Sequence, residues 1–142
     1  MLDFASFIAE SSRSGIELDP TPPDDFTHRE QDDDYFYHVT LRRNVKQILR
    51  FGLAPCKGPT MCDGFYRSYS RGKVFFCDRS GVSYWIGVVE RHLQDQTDEY
   101  QIPKLAVVRF PKGLAKDYQK DEIGVRDSAH SAYFSAKPIK AL

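Results

Sequence analysis

Residues 35–53 constrain the fold more than any other part of this chain, because a strand pattern passes directly into a helix pattern there. Tyr35, Phe36, Tyr37, Val39 and Thr40 crowd aromatic and β-branched side chains around His38, which predicts a buried strand. Side chains alternate across a strand, so Phe36, His38 and Thr40 share one face and Tyr35, Tyr37 and Val39 the other. An imidazole and a hydroxyl therefore lie two residues apart on one surface. From Leu41 onward the period becomes helical: Leu41, Val45, Ile48 and Leu49 form a stripe, with Arg42, Arg43, Lys46 and Arg50 largely off it. Thr40 or Asn44 can cap the start. Gly52 supplies the left-handed residue that closes the last turn, Leu53 packs back, and Pro55 blocks continuation.

Further along, residues 73–77 (Lys-Val-Phe-Phe-Cys) predict a second short strand, and Asp78 or Ser80 then caps a helix to about Leu93, with Val82, Trp85, Ile86, Val89 and Leu93 as its buried stripe. Residues 94–99 read as a solvated turn, and residues 105–110 as a third strand ended by Pro111 and Gly113. Residues 122–126 and 132–135 read as two more short strands, and Pro138 and Ile139 close the domain. Two main helices among about five strands indicate an α+β domain built on split β-sheets. Residues 55–70 form a loop of uncommon length for a compact domain, and its far end, 66–71, mixes Tyr66 and Tyr69 with Arg67 and Arg71.

The chain's 142 residues suffice for one domain with a sizeable core. Its formal net charge of zero hides an asymmetry: residues 1–34 hold ten acids and two bases, a balance of −8, and residues 35–142 carry the complementary +8. The prolines at 20, 22 and 23 keep the front segment extended, so residues 1–34 read as an acidic arm or linker that docks only partly. A basic body attracts phosphate-bearing ligands, although a solvated surface with an acidic leader explains the same numbers. No apolar run is long enough to span a membrane and the start lacks a secretory pattern, so the expectation is a cytoplasmic chain or an effector delivered into a target cell. Cys56, Cys62 and Cys77 are an odd set without a CxxC pair, and His28, His38, His92 and His130 are scattered. No metal site is expected. A P-loop, a GxGxxG fingerprint and a serine nucleophile elbow are all missing.

The order of Tyr37-His38-Val39-Thr40, a helix, Gly52-Leu53-Ala54-Pro55, a long loop, then Gly72-Lys73-Val74-Phe75-Phe76-Cys77-Asp78 and a helix opening Ser80-Gly81-Val82-Ser83-Tyr84-Trp85 resembles the single-domain ADP-ribosyltransferases of the diphtheria-toxin and poly-ADP-ribose-polymerase type. The resemblance covers roughly residues 35–142 and implies NAD as co-substrate. It also implies that His38 binds the nicotinamide-side ribose, that the main chain at Val39 holds the carboxamide, and that Thr40 sits on the same face as the ring. Phe75, where a tyrosine is usual, and Tyr84 would sandwich nicotinamide, since a phenyl ring keeps the stacking surface. Ser83 or Ser80 would bond the carboxamide, and Arg71 or Arg67 the pyrophosphate.

The third family motif departs. Ser131-Ala132-Tyr133-Phe134 and the following Pro138-Ile139 fit its frame, but Ala132 stands where the catalytic glutamate belongs. Breaking the nicotinamide bond builds positive charge on the ribose, which a carboxylate stabilises and a methyl group does not. Three accounts stay open: a form inactivated by a glutamate-to-alanine change, a carboxylate supplied by Glu122, or a natural relative that binds NAD without turnover. The resemblance thus implies a toxin or effector that modifies a macromolecular acceptor, protein or nucleic acid, with an immunity or antitoxin protein as a compatible partner. Two rivals are a non-catalytic nucleic-acid-binding module, from the basic body and the 66–71 loop, and an RNA 2′-phosphotransferase, whose full histidine and arginine set is not found here.

Overall fold

The computed structural model describes residues 15–55, 72–96, 104–128 and 132–140. They form a mixed α+β fold. In chain order the strands and α-helices are β1 (Glu17–Leu18), β2 (Tyr35–Leu41), α1 (Val45–Phe51), β3 (Val74–Cys77), α2 (Val82–Gln96), β4 (Leu105–Pro111), β5 (Gln119–Lys120), α3 (Glu122–Ser128) and β6 (Ala132–Ser135). The strands build one antiparallel sheet in the order β1-β4-β2-β3-β6-β5. This corrects the expectation of split sheets with two main helices: among the described residues the sheet is continuous and there are three α-helices.

Alternation along β2 sorts the core into two halves. Phe36 packs with Phe76, Val108 and Phe110 on one face, under Val45, Ile48 and Leu49 of α1. Tyr37 packs with Cys77 and Val107 on the other, under Val82 and Ile86 of α2. Each helix covers one face because each has one apolar stripe to bury. α1 is shorter than residues 41–53 suggest, since Leu41 remains in β2 and Arg42–Asn44 form a 3-10 turn. Asn44 occupies the N-cap position of α1 without a side-chain capping bond, so neither suggested cap acts as one. The stop is as expected: Gly52 has φ 94°, its N–H reaches the Ile48 carbonyl at 2.7 Å, and Leu53 pairs with Ile139 through two 2.8 Å main-chain bonds.

Residues 122–126 are helical and not a strand. The cause is the residue before them: Asp121 Oδ1 accepts from the Gly124 N–H at 3.1 Å, which caps α3. A Cβ at Gly124 would crowd the Asp121 carboxylate and the Ala132 methyl, so the absence of a side chain there leaves room for the cap.

Of the acidic segment, residues 15–34 lie against the domain. Ile16 and Phe26 are buried, and β1 pairs with β4. Two arginines hold the segment down. Asp19, with no side-chain exposure, meets both Arg79 and Arg109 at 3.4 Å. Arg79 also reaches Glu30 at 3.3 Å, and Arg109 reaches Glu17 at 2.6 Å. Part of the −8/+8 asymmetry is therefore neutralised internally.

Candidate functional site

The seam between β2 and β3 is the least bonded part of the sheet's centre. β4 registers with all seven residues of β2, from Tyr35–Pro111 to Leu41–Leu105, whereas β3 registers with β2 at Tyr37–Cys77 alone among the described residues. Beyond that pair, the His38 ring reaches into the seam, and its Nδ1 lies 2.7 Å from the Phe75 carbonyl. A carbonyl only accepts, so Nδ1 carries the proton. Burial pushes the imidazole below its ordinary value of 6.5, while the Phe75 bond pulls the other way. The ring is accordingly neutral at pH 7, and Nε2 is left with a lone pair. By residue exposure His38 is half-buried.

The other expected residues lie on both faces of the sheet around the seam: alternation along β2 puts His38 and Thr40 with Phe36, on the α1 side. Val39 is half-buried and Thr40 buried, on β2 beside His38. Phe75 alternates with Phe76 and so shares the face of Cys77, which α2 covers. Ser83 and Tyr84, both half-buried, stand in the first turn of α2, on that same side. The Phe75 ring lies 6.1 Å from Phe134, over which Lys73 Nζ sits at 4.4 Å, and the Tyr84 ring lies 5.1 Å from Trp85. The Ser80 main-chain N–H donates to Asp32 Oδ1 at 2.9 Å, in the docked acidic segment. Arg67 and Arg71 lie outside the described residues.

Ala132 opens β6, opposite Cys77, and is 2 % exposed. Its carbonyl accepts from the Asp121 N–H at 2.8 Å, which places Asp121 directly across the ladder. Asp121 is buried, whereas Glu122 is exposed at the start of α3. The buried carboxylate beside position 132 is therefore Asp121. Reading residues 122–126 as a strand hid it. An Asp three residues before a glycine, capping a short helix, was the available signal.

A second polar cluster borders the seam. The Tyr37 hydroxyl donates to Asp33 Oδ2 at 2.6 Å and accepts from Arg79 Nη1 at 3.0 Å. Burial, reinforced by the Asp33 bond, raises its pKa to about 12. Arg79 also lies over the Phe26 and Tyr37 rings at 5.0 and 5.4 Å. Lys112 Nζ meets Asp78 Oδ1 at 2.6 Å at the end of β3. Cys77 is a free, buried thiol, and burial pushes its pKa up, away from thiolate chemistry. Among the described residues no group of three His, Cys, Asp or Glu is placed to hold a metal ion, and no helix is long and apolar enough to cross a membrane.

Compared with known proteins, the chain matches no family model, no curated protein and no solved structure.

Proposed function

We propose that this chain is an NAD-dependent ADP-ribosyltransferase domain of the toxin or effector kind, acting on a macromolecular acceptor. The observation that carries the reading is the His38 ring in the β2–β3 seam. Its Nδ1–H is committed to the Phe75 carbonyl, and its Nε2 is an acceptor suited to a ribose hydroxyl. The same ring is placed by the first motif and the same carbonyl by the second, so two motifs 37 residues apart support each other through one bond.

In this reading NAD lies along the seam, with nicotinamide against Phe75 and Tyr84 and the carboxamide on the Val39 main chain and Ser83. Cleavage of the glycosidic bond leaves positive charge on the ribose, and the chain needs a carboxylate near position 132. Asp121, across the ladder from Ala132, stands in for the missing glutamate in place of the exposed Glu122. Its own cap bond to Gly124 holds the carboxylate still, which favours electrostatic stabilisation over proton transfer.

Nicotinamide release from NAD by the wild type, Asp121→Asn and Ala132→Glu tests this. Asparagine preserves the capping acceptor, so Asp121→Asn is expected to keep the fold and NAD affinity while slowing release by about 10²–10³. A rise of similar size in Ala132→Glu, with no effect of Asp121→Asn, would instead mark this chain as an inactivated form. No release and no NAD binding by any of the three would end the reading.

A further inference from the structure

The docked acidic segment has two unlike halves. Residues 15–26 are fixed by the core: Ile16 and Phe26 are buried, β1 pairs with β4, the Asp19 N–H donates to the Val107 carbonyl at 2.9 Å, and the Asp19 carboxylate has no exposure. Residues 27–33, Thr-His-Arg-Glu-Gln-Asp-Asp, contain no apolar side chain, and all but half-buried Glu30 are exposed. They cross the 3-10 turn Arg79–Gly81 that leads into α2. Both ends of the crossing are anchored, one by Phe26 in the core and the other by the Asp34 carbonyl, which accepts from the Lys112 N–H at 3.0 Å.

Among the described residues, three side-chain contacts tie the crossing stretch to the domain. Glu30 meets Arg79 Nε at 3.3 Å, Asp32 Oδ1 accepts from the Ser80 N–H at 2.9 Å, and Asp33 Oδ2 accepts from the Tyr37 hydroxyl at 2.6 Å. Its other bonds are local: Thr27 accepts from the N–H groups of Arg29 and Glu30 at 3.3 and 3.4 Å, and Asp33 Oδ1 from that of Tyr35 at 3.1 Å. Net charge holds the stretch weakly. Arg79 and Arg109 are already matched by Asp19 and Glu17, and Glu30, Asp32 and Asp33 add three more carboxylates against one Arg29 within the stretch. When the stretch leaves, no buried charge is stranded. Arg79 keeps Asp19 at 3.4 Å and Thr21 Oγ1 at 3.2 Å, and the Tyr37 hydroxyl keeps Arg79 at 3.0 Å. A segment held by a few exposed polar bonds, with no apolar side chain to pull out of the core, opens far more easily than the fold as a whole.

We propose that residues 27–33 form a hinged strap that swings off the start of α2 while residues 15–26 and the rest of the fold stay in place. Opening bares three adjacent donors at once: Arg79 Nε, the Ser80 N–H and the Tyr37 hydroxyl. Ser80 belongs to the turn that runs into the first turn of α2, where Ser83 and Tyr84 stand, so the strap gates that corner of the molecule. The opening itself does not rest on the NAD reading.

Amide hydrogen exchange followed by NMR, each rate corrected for its intrinsic value, tests it. The Ser80 amide reports the strap, and the Asp19 and Lys112 amides report the parts that stay fixed. In the wild type the Ser80 amide should exchange about a hundredfold faster than the other two, because it needs only the strap to open. E30A/D33A removes two of the three contacts and leaves Asp32, the acceptor for Ser80, untouched. Ser80 exchange should still rise about tenfold in that variant, with Asp19 and Lys112 unchanged, since the three contacts open as one unit. The proposal is overturned if the three amides exchange at one rate in the wild type, if E30A/D33A leaves Ser80 unchanged, or if it speeds all three alike. A variant that fails to fold overturns it too, because the strap would then be part of what holds the fold together. No NAD is present in this experiment, so its failure leaves the ADP-ribosyltransferase reading standing.

Discussion

The two flanks of β2 are built to different standards. On the β4 side seven consecutive residue pairs are in register, and the side chains facing α1 form a dry cluster in which Phe36, Val108 and Phe110 are each at most 1 % exposed. On the β3 side one pair is in register and a side chain, His38, supplies the bond to the Phe75 carbonyl. A main-chain ladder satisfies its own polar groups and leaves none for a ligand. A seam held by a ring nitrogen leaves a second ring nitrogen over. The first flank makes the fold, and the second is where the proposed function is placed.

That contrast predicts where substitutions should hurt. The largest loss belongs to the ladder side. Phe110→Ala removes a fully buried ring 6.0 Å from Phe36 and 5.6 Å from Phe76, and should cost about 3–5 kcal/mol in denaturant unfolding. A cost below about 1 kcal/mol would mean that this flank is not the stability core. Next comes the clamp on the docked acidic segment. Asp19→Ala leaves Arg79 and Arg109 without their shared carboxylate, but both guanidinium groups keep some solvent contact, at 17 % and 26 % side-chain exposure. Its expected cost is therefore about 2–3 kcal/mol, short of the 3–5 kcal/mol of a fully buried pair. Limited proteolysis sharpens this test: cleavage should appear first within residues 15–34 of the variant, and unchanged protection would contradict the clamp. The smallest effect on stability belongs to His38, whose single neutral bond is worth about 1 kcal/mol.

What the sequence made legible follows the same division. β2, α1 with its Gly52 stop, β3, α2 and β4 are each specified by neighbours in the chain: alternating aromatics, a 3.6-residue stripe, a glycine at positive φ. They were readable for that reason. The His38 ring could be singled out because it breaks an otherwise apolar strand, but its partner at Phe75 is set by tertiary pairing and carries no local signal. Three features stayed hidden for related reasons. Asp19 finds Arg79 and Arg109 at separations of 60 and 90 residues, so the segment's docking is invisible to any window. β1 and β5 are two residues each and exist only through the strands beside them. α3 was misread because Ile123 and Val125 alternate with polar residues, a strand pattern over so short a stretch, and the Asp121 cap decided the matter.

We propose that His38 holds the seam through Nδ1 and offers Nε2 to NAD. Nitrogen-15 NMR of the His38 ring, followed against pH and then against added NAD, tests it most directly. The folded-state pKa is lowered from 6.5, so the neutral ring should persist as the pH falls through that value, and the stability tied to it should be complete above pH 6.5 and lost as the pH drops through the lower folded-state value. The expected spectrum has a protonated Nδ1, a bare Nε2 at neutral pH, and a shift of Nε2 when NAD is added. A ring protonated on Nε2, or one that NAD leaves unmoved in a folded chain, would contradict it.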